Sequence, residues 1–440
     1  MQNTREKLFG IVEGFYGVPW NARQRHRLFG WCKAAGLNTF LYAPKDDLKH
    51  RAIWRELYDE AQASELAALV RDAQRHGLRF IYAISPGLDI RYADPAETGT
   101  LIDKLLQLRG LGVRDFAVLF DDIPTGLQPG DLGGLQELAA AQAGIANTVF
   151  SQLALNPGER FLFCPVEYCG RFANPSVADS PYLKTIGQQL HQGIDILWTG
   201  PEIISGELDS EGLLEIEAIL KRKPLIWDNL YANDYDTRRL YLGPYLGRDE
   251  SIRTRVSGVL VNPNCQFEAN FPAIASFGDF VRGEAETNRR ELHAKSIAQW
   301  LPQFATVGGA AFDERDMALL VDLFHLPFEH GALTKQALVA LDSMDVECLT
   351  RFADGVRGLQ EKATRLTNRD LAAAFYRHLW DAKEECELLI AIANWSKAGN
   401  RGSFHDARFR PKLFRGGLLG DLAQRIVQNP DGSFTIQPQN

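Results

Sequence analysis

The sequence predicts an α/β fold: a (β/α)8 TIM-like barrel followed by an α-helical bundle domain. In the N-terminal part, short apolar runs alternate with amphipathic helical segments, and this alternation repeats eight times. Continuous apolar runs are typical of strands buried on both faces of a parallel sheet, and eight strand–helix repeats are typical of a closed barrel. On these patterns alone, an open doubly wound sheet of parallel strands is the alternative.

The eight apolar runs are the predicted barrel strands, and the segments between them carry helix signals. Ser64 is a candidate N-cap and Gly77 a candidate stop for one helix. Asp94 is a candidate N-cap for another, with Pro95 at its first position. No clear amphipathic helix is predicted between the seventh and eighth runs. The runs cover residues 8–12, 39–42, 79–84, 116–120, 161–165, 194–198, 224–227 and 258–261.

The pattern changes near residue 284, where helical segments begin to follow one another without strands. The clearest of them cover 313–324, 334–341 and 368–395, and the last is long and rich in Ala, Leu, Glu and Lys, as in a helix bundle. A turn at Asn429 begins the C-terminal part. The predicted domains are therefore a catalytic barrel over 1–283, a helical bundle over 284–428 and a tail over 429–440.

Charge and composition exclude several classes of partner. The chain of 440 residues has 48 basic and 56 acidic side chains and a net charge of −8, without the basic excess of nucleic-acid-binding or anionic-membrane-binding proteins. Its first residues form no apolar signal segment, and its six scattered cysteines do not form a disulfide scaffold. A cytoplasmic location is therefore expected, although a chain with its signal removed would look the same. The oligomeric state is not indicated.

Polar or aromatic residues follow seven of the eight runs, where barrels of this type place catalytic groups. From the doublet alone, Asp121-Asp122 is as readily a helix N-cap or a metal-binding pair as a catalytic pair. Neighbours on a strand point to opposite faces, which does not suit two carboxyls about 5 Å apart across a glycosidic bond. One acid would instead protonate a leaving group while the other holds a nucleophile of the substrate. Asp46 and Asp47 are more simply acids at a helix N-terminus.

Motifs for metals and phosphates are missing from the sequence. Cys164 and Cys169 have four residues between them rather than the two of CxxC, and the nine histidines form no HxH or HExxH pair. Neither a GxxxxGK[ST] loop nor a GxGxxG after a strand is present. The sequence therefore predicts no cofactor and no metal.

Long motifs at the strand ends resemble glycoside hydrolase family 84, the O-GlcNAcases and hyaluronidase-like N-acetylglucosaminidases. They stand in order and cover nearly the whole predicted barrel, whereas the helical part resembles the bundle domain of that family only loosely. Tyr231 departs from the pattern, since a histidine is expected there. The motifs are GIVEGFYGVPW (10–20), YAPKDDLKH (42–50), FDDI (120–123), CPVEYCG (164–170), LWTGPEI (197–203), IWDNLYANDYDTRRLYLGPY (226–245) and GVLVNPNCQFEAN (258–270).

The resemblance implies a retaining β-N-acetylglucosaminidase that uses substrate-assisted catalysis, in which the 2-acetamido oxygen attacks the anomeric carbon and gives an oxazoline. It implies that Asp121 orients the acetamido nitrogen and that Asp122 is the general acid and then the base. The implied substrate-binding residues are Tyr168 at the oxazoline, Thr199, Ile203 and Trp227 around the N-acetyl group, Gly14 and Lys45 at a sugar hydroxyl, and Asn229, Asp234 and Asn262 at the other polar groups of the ring.

Two expectations about the substrate follow from this assignment. Asp234 and Asn262 would close the pocket at the non-reducing end, and a net charge of −8 opposes the approach of anionic hyaluronan. Exo cleavage is therefore expected, with an O-GlcNAc-modified protein or a GlcNAc-terminated glycan as the substrate. The alternative is a non-catalytic barrel that binds glycans or glycoproteins.

Overall fold

The computed structural model describes residues 5–123, 134–399, 403–405, 426–431 and 434–436, and these form two compact units. The first unit contains the described residues up to Ala232, with Tyr245–Cys265 and Phe277–Glu286. The second contains Asn233–Pro244, Gln266–Ser276 and the described residues from Thr287 onward. No helix of the described residues is long and apolar enough to cross a membrane.

Eight parallel strands form a closed barrel in the first unit, which confirms the predicted barrel and excludes the open sheet. The last strand pairs with the first, with Leu8 opposite Gly258. The interior is filled by fully buried side chains such as Leu41, Ile81 and Leu119. The strands are β1 (Leu8–Glu13), β2 (Thr39–Tyr42), β3 (Arg79–Ile84), β4 (Asp115–Leu119), β5 (Phe161–Cys164), β6 (Asp195–Trp198), β7 (Leu225–Asp228) and β8 (Gly258–Val261).

Helices connect these strands, and the β7–β8 connection is the irregular one, as predicted, because its helix has four residues. They are α1 (Ala22–Ala35), α2 (Glu60–Arg75), α3 (Pro95–Gly110), α4 (Leu135–Leu153), α5 (Pro181–Gln189), α6 (Ser210–Leu220) and α7 (Ile252–Arg255). A further helix, α8 (Phe271–Arg282), follows β8.

Of the two predicted N-caps, the structure confirms the one of α3 and corrects the one of α2. The prediction of Ser64 as an N-cap is wrong, because α2 begins before Ser64. Its N-cap is Asp59, which forms a reciprocal capping box with Gln62. Gly77 follows the helix end with a φ of 77°, a left-handed conformation that glycine adopts without strain. The N-cap Asp94 and the first-turn Pro95 of α3 are confirmed.

The second unit is mostly helical and has its own core. Trp300, Phe304 and Phe375 pack against one another at its centre, together with Leu240 and Leu242 from the segment between β7 and β8. The predicted helices over 313–324, 334–341 and 368–395 correspond to α10, α11 and α13 below. The helices are α9 (Glu286–Trp300), α10 (Glu314–Leu323), α11 (Ala332–Asp342), α12 (Val346–Thr364) and α13 (Arg369–Lys397).

A small antiparallel sheet follows these helices. Its strands are β9 (Ser403–Phe404), β10 (Ile426–Gln428) and β11 (Phe434–Ile436), with β11 in the middle. Asn429, where the sequence predicts a turn, lies directly after β10. The segment predicted as a tail thus contributes a strand.

Candidate active site

The candidate site lies at the carboxyl ends of the barrel strands, because the predicted site residues of the first unit lie at the ends of seven of them or directly after. The carboxyl ends of parallel strands meet at one rim of such a barrel, where the following loops build the site. The side chains are Gly14 after β1, Lys45 after β2, Asp121 and Asp122 after β4, Tyr168 after β5, Thr199 and Ile203 after β6, Trp227 and Asn229 at the end of β7, and Asn262 after β8.

Asp121 is buried at the rim and forms an ion pair with Lys45 through its Oδ2 atom. Its other oxygen, Oδ1, is also buried and has no hydrogen-bond partner among the described residues. Burial acts to raise the pKa of the Asp121 carboxyl, but Lys45, with help from Arg51, holds that pKa below its usual value. The carboxyl is therefore an anion with one oxygen available to accept a hydrogen bond.

Asp122 is exposed and bonds to a different set of groups. Tyr168 Oη donates to its Oδ1 at 2.7 Å, Tyr16 Oη donates to its Oδ2 at 3.1 Å, and Arg51 Nη2 donates to its backbone carbonyl at 2.8 Å. Burial and the nearby Asp122 raise the pKa of the Tyr168 hydroxyl, so it stays a donor. The φ of Asp122 is 51°, in the left-handed region, where a strand's alternation of sides no longer applies. The two neighbouring acids can therefore serve one site.

Trp227, which the resemblance places at the N-acetyl group, is fixed by its neighbours. A Cβ atom on Gly14 would lie 2.2 Å from the Trp227 ring, so only glycine permits this close approach. Trp227 Nε1 donates to Asn229 Oδ1 at 2.9 Å, and Asn262 Nδ2 donates to the same oxygen at 3.0 Å. The Oδ1 atom of Asn262 is buried and accepts no hydrogen bond from any described residue. That oxygen is a second acceptor available to a ligand.

The loop after β6 carries two more predicted site residues, Thr199 and Ile203. Two hydrogen bonds hold Thr199 in place. Its amide donates to Tyr168 O at 2.9 Å, and its hydroxyl donates to Glu202 O at 2.7 Å. Ile203 is half-buried and packs against the barrel's interior cluster, which includes Tyr168 and Trp227. Asn229 Nδ2 donates to Ile203 O at 2.8 Å, which joins this loop to the end of β7.

Asp234 is the predicted site residue outside the first unit. It is half-buried and belongs to Asn233–Pro244 of the second unit. Its role therefore stays a prediction from the resemblance.

The prediction that Asp46 and Asp47 begin a helix is wrong, because turns follow them and α2 starts only at Glu60. Asp46 instead accepts from the Gly17 amide at 2.9 Å. Asp47 accepts from the Tyr42 and Tyr58 hydroxyls at 2.7 and 3.1 Å. Both carboxylates thus fix the loop that carries Lys45.

One group of side chains in the described part of the chain has the composition of a metal site. His26, Asp72 and His76 place their ligand atoms within 4.8 Å of one another, on α1 and at the end of α2. His26 Nδ1 lies 2.9 Å from Asp72 Oδ2, and His76 Nδ1 lies 2.9 Å from the Asp72 carbonyl oxygen. None of the three is a predicted site residue, and both histidine rings lie within hydrogen-bond distance of Asp72.

The sequence analysis assigned no role to Arg51 and His50, which lie near the acids, or to Arg248, which lies beside the end of β7. Arg51 holds the Asp122 carbonyl and stacks over the Tyr16 ring at 5.6 Å. His50 is fully buried with Nδ1 2.6 Å from Ala83 O, and burial, together with the Lys45 charge, lowers its pKa to about 4. Arg248 is fully buried and pairs with Asp228 at the end of β7. For His50 and Arg51, the position in the sequence could have indicated a role, because His50 ends a family motif and Arg51 follows it directly.

The closed barrel and the tandem acids at its rim are the features that the resemblance to glycoside hydrolase family 84 predicts. The sequence model of the beta-N-acetylglucosaminidase family matches residues 9–311, and the chain belongs to this family. The resemblance to glycoside hydrolase family 84 is thereby confirmed.

Two curated relatives and one solved structure extend this result. The protein O-GlcNAcases of Rattus norvegicus and Mus musculus are each 48% identical to the chain over 289 residues, which is 66% of this chain but only 31% of each relative. A mutant of the Thermobaculum terrenum O-GlcNAc hydrolase superposes with a TM-score of 0.74 at 27% identity, covering 90% of this chain and 86% of that chain.

Proposed function

We propose that the chain is a retaining exo-β-N-acetylglucosaminidase that removes O-linked GlcNAc from Ser or Thr of proteins by substrate-assisted catalysis. The observation that carries this proposal is the division of partners between Asp121 and Asp122. Asp121 is a buried anion with Oδ1 open among the described residues, whereas Asp122 is exposed and held by two tyrosine hydroxyls. Such a pair suits one acid that assists the substrate's own nucleophile and one that exchanges protons with the leaving group.

In the first step, the 2-acetamido oxygen of the substrate attacks the anomeric carbon and the bond to the leaving oxygen breaks. Asp122 gives its proton to that oxygen, which leaves as an alcohol. Asp121 Oδ1 accepts a hydrogen bond from the acetamido N–H, so the anion stabilises the positive charge that develops on this group. The product of this step is a protonated oxazoline (an oxazolinium ion) on the sugar, whose N–H stays hydrogen-bonded to the Asp121 carboxylate, and no covalent bond to the protein forms.

In the second step, water attacks the anomeric carbon and gives one proton to Asp122. The bond between that carbon and the acetamido oxygen breaks, and the acetamide is restored. Two inversions at the anomeric carbon give net retention, so the sugar leaves as the β-anomer. Asp122 is protonated again and ready for the next substrate.

The remaining side chains are proposed to hold the sugar. Thr199, Ile203 and Trp227 would enclose the N-acetyl group. The packing of Ile203 against the cluster that contains Trp227, and the hydrogen bond that holds Thr199 to Glu202 O, support this role. Tyr168 would move between Asp122 and the oxazoline oxygen. The polar groups of the ring would be bound by Gly14 and Lys45 and by Asn229, Asp234 and Asn262. The open Oδ1 of Asn262 supports its part in this set.

The substrate class rests on the relatives and on charge. Two relatives are named protein O-GlcNAcases, which supports a glycosylated protein as the substrate, and a GlcNAc-terminated glycan is the next candidate. The net charge of −8 disfavours hyaluronan, nucleic acid and anionic membranes as partners. The six cysteines lie in the described part of the chain and are free thiols, which supports a cytoplasmic location.

Turnover of 4-nitrophenyl β-N-acetylglucosaminide tests the proposal against the non-catalytic binding barrel. The chain should release 4-nitrophenolate and free GlcNAc, and the double variant Asp121→Asn, Asp122→Asn should not. That double variant keeps the size of both side chains and is the matched control for contaminating activity. Binding of GlcNAc without release by the unaltered chain would favour the binding barrel instead.

A further inference from the structure

Arg248 is fully buried behind the candidate site, and its guanidinium pairs with both carboxylate oxygens of Asp228. Nε donates to Oδ2 at 2.7 Å and Nη2 donates to Oδ1 at 2.6 Å. The same carboxylate accepts from Tyr245 Oη at 2.6 Å and from the Leu230 amide at 3.0 Å. Because two-point pairing fixes orientation as well as distance, the end of β7 is held in one position.

The other donors of Arg248 reach a different segment. Nη2 donates to Ser205 O at 2.9 Å, and Nη1 donates to Gly206 O at 2.9 Å and to Leu246 O at 3.1 Å. Ser205 and Gly206 belong to the loop after β6. One guanidinium therefore connects that loop to the end of β7, and a lysine ammonium has neither the number nor the planar arrangement of donors to replace it.

Both connected segments carry walls of the pocket proposed for the N-acetyl group. Trp227 and Asn229 flank Asp228 in the sequence, and the loop that Arg248 holds begins at Thr199. Within that loop, Ser205 Oγ donates to Thr199 O at 2.9 Å. Across the two segments, Asn229 Nδ2 donates to Ile203 O at 2.8 Å. Two residues therefore fix the distance between the end of β7 and the loop after β6. Arg248 bonds to both segments, and Asn229 bonds directly from one to the other.

We propose that Arg248 is a positioning residue that fixes the width of the N-acyl pocket and so determines the preference for N-acetyl over longer N-acyl groups. It does not touch the substrate and acts through Asp228 and the loop after β6. This inference rests on the proposed function, since the walls matter only if the acyl group binds between them. A pocket held at one width rejects added methylenes, and a loosened pocket accepts them.

The test compares 4-nitrophenyl β-glucosaminides that carry N-acetyl, N-propionyl and N-butyryl groups. In Arg248→Lys, kcat/KM for the acetyl substrate should fall, and the acetyl-to-propionyl ratio of kcat/KM should fall by about tenfold, the lower end of what one methylene contributes to discrimination. An unchanged ratio would overturn the proposal. A merely structural role would lower all three rates by one factor through loss of folded protein.

Arg160→Lys is the matched control. Arg160 is likewise buried and pairs with Asp195 at 2.8 Å, but this pair lies at the opposite ends of the strands, beside the starts of β5 and β6. It should lower the melting temperature without moving the acyl ratio. An equal shift of the ratio in Arg160→Lys would also overturn the proposal, because the effect would then report general loosening of the barrel.

Tyr245→Phe keeps the proposal testable if Arg248→Lys does not fold. This variant removes one hydrogen bond to Asp228 and keeps the ring, which packs on Phe277 and Phe280. The acyl ratio should fall in the same direction, by a smaller factor, and an unmoved ratio counts against the proposal. Failure of the proposed function is distinguishable, since the unaltered chain would then release no nitrophenolate from the acetyl substrate.

Discussion

The Lys45 ammonium forms a buried ion pair with one oxygen of Asp121, and the other oxygen of that carboxylate accepts nothing from the described part of the chain. The next residue, Asp122, has no part in this pair and bonds to two tyrosine hydroxyls instead. Adjacent acids therefore have separate surroundings. One is kept charged by a cation, and the other is reached by solvent and by neutral donors.

Replacement of Asp122 by Asn should cripple hydrolysis of alkyl-linked or protein-linked GlcNAc by roughly 10²–10⁴-fold, the usual contribution of a general acid. Substrates with highly acidic leaving groups should be spared, because those groups depart without a proton. Steady-state kinetics on a series of aryl substrates of falling leaving-group pKa checks this. Equal loss across the series would contradict the role of Asp122.

Replacement of Asp121 by Asn should lower the rate by roughly 10²–10³-fold on every substrate in the same series, since the attack by the acetamido group is common to all of them. The dependence on leaving-group pKa should stay as in the unaltered chain. A variant that recovers on the activated substrates would show that Asp121 acts on the leaving group instead.

Replacement of Lys45 by Met should move the acid limb of the kcat/KM profile to higher pH. Lys45 holds the pKa of Asp121 below its usual value, so without that cation the carboxylate takes up a proton earlier as the pH falls. A pH profile on the chromogenic substrate measures the limb. Lys49→Met is the control, because Lys49 lies in the same loop and donates to Leu57 O and Gln62 Oε1. A limb that stays in place in Lys45→Met would refute the assignment.

Substrates with mono-, di- and trifluoroacetyl groups should be hydrolysed progressively more slowly. Fluorine withdraws electrons from the acyl oxygen that acts as the nucleophile in the proposed mechanism. The rate series is measured by steady-state kinetics, and NMR during hydrolysis should show the β-anomer forming first. A flat fluorine series, or a sugar trapped covalently on an Asp or Glu, would exclude the mechanism.

Hyaluronan should not be shortened at physiological salt, whereas GlcNAc should be released from an O-GlcNAc-modified protein. Both chain and polymer are negatively charged, so long-range repulsion slows their encounter. Viscometry follows the polymer, and mass spectrometry follows the loss of one sugar from the protein. A rapid fall in viscosity would establish internal cleavage and overturn the exo assignment.

Replacement of Gly14 by Ala should displace the Trp227 ring, because the added carbon would lie 2.2 Å from it. Overpacking of this kind costs about 1–3 kcal/mol, so both kcat/KM and the melting temperature should fall. Gly30→Ala is the matched change, since nothing lies within 4 Å of a Cβ there and α1 favours alanine. It should leave activity unchanged. Full activity in Gly14→Ala would contradict the proposed role of Trp227 in the pocket for the N-acetyl group.

The barrel could be predicted from the sequence because each strand is buried on both faces and so is apolar throughout. The strand β4 has this pattern, and all five of its residues are buried. Helix starts were less predictable, since several polar residues compete for the same cap. Asp59 prevails over Ser64 because its capping box with Gln62 satisfies two amides at once.

The positions of the candidate site residues were predictable where those residues directly follow strands. A residue that reaches the site from a connection distant in sequence was not predictable. Asp121, Tyr168 and Trp227 were found at strand ends. Arg248 was missed because it lies 20 residues beyond Asp228 in an irregular connection, and a buried ion pair leaves no periodic signal in the sequence. The left-handed turn at Asp122 was missed as well, since strand alternation gave no reason to expect it.

The path of the chain between β7 and α8 has a practical consequence for making fragments. The chain leaves the first unit after Ala232, returns at Tyr245, leaves again after Cys265 and returns at Phe277. Any fragment ending near Glu286 therefore retains Leu240 and Leu242, whose packing partners would have been cut away. Such a truncated fragment would expose these apolar side chains to solvent and would be prone to aggregation. Removal of the helical unit by one terminal deletion is consequently a poor route to a minimal catalytic fragment.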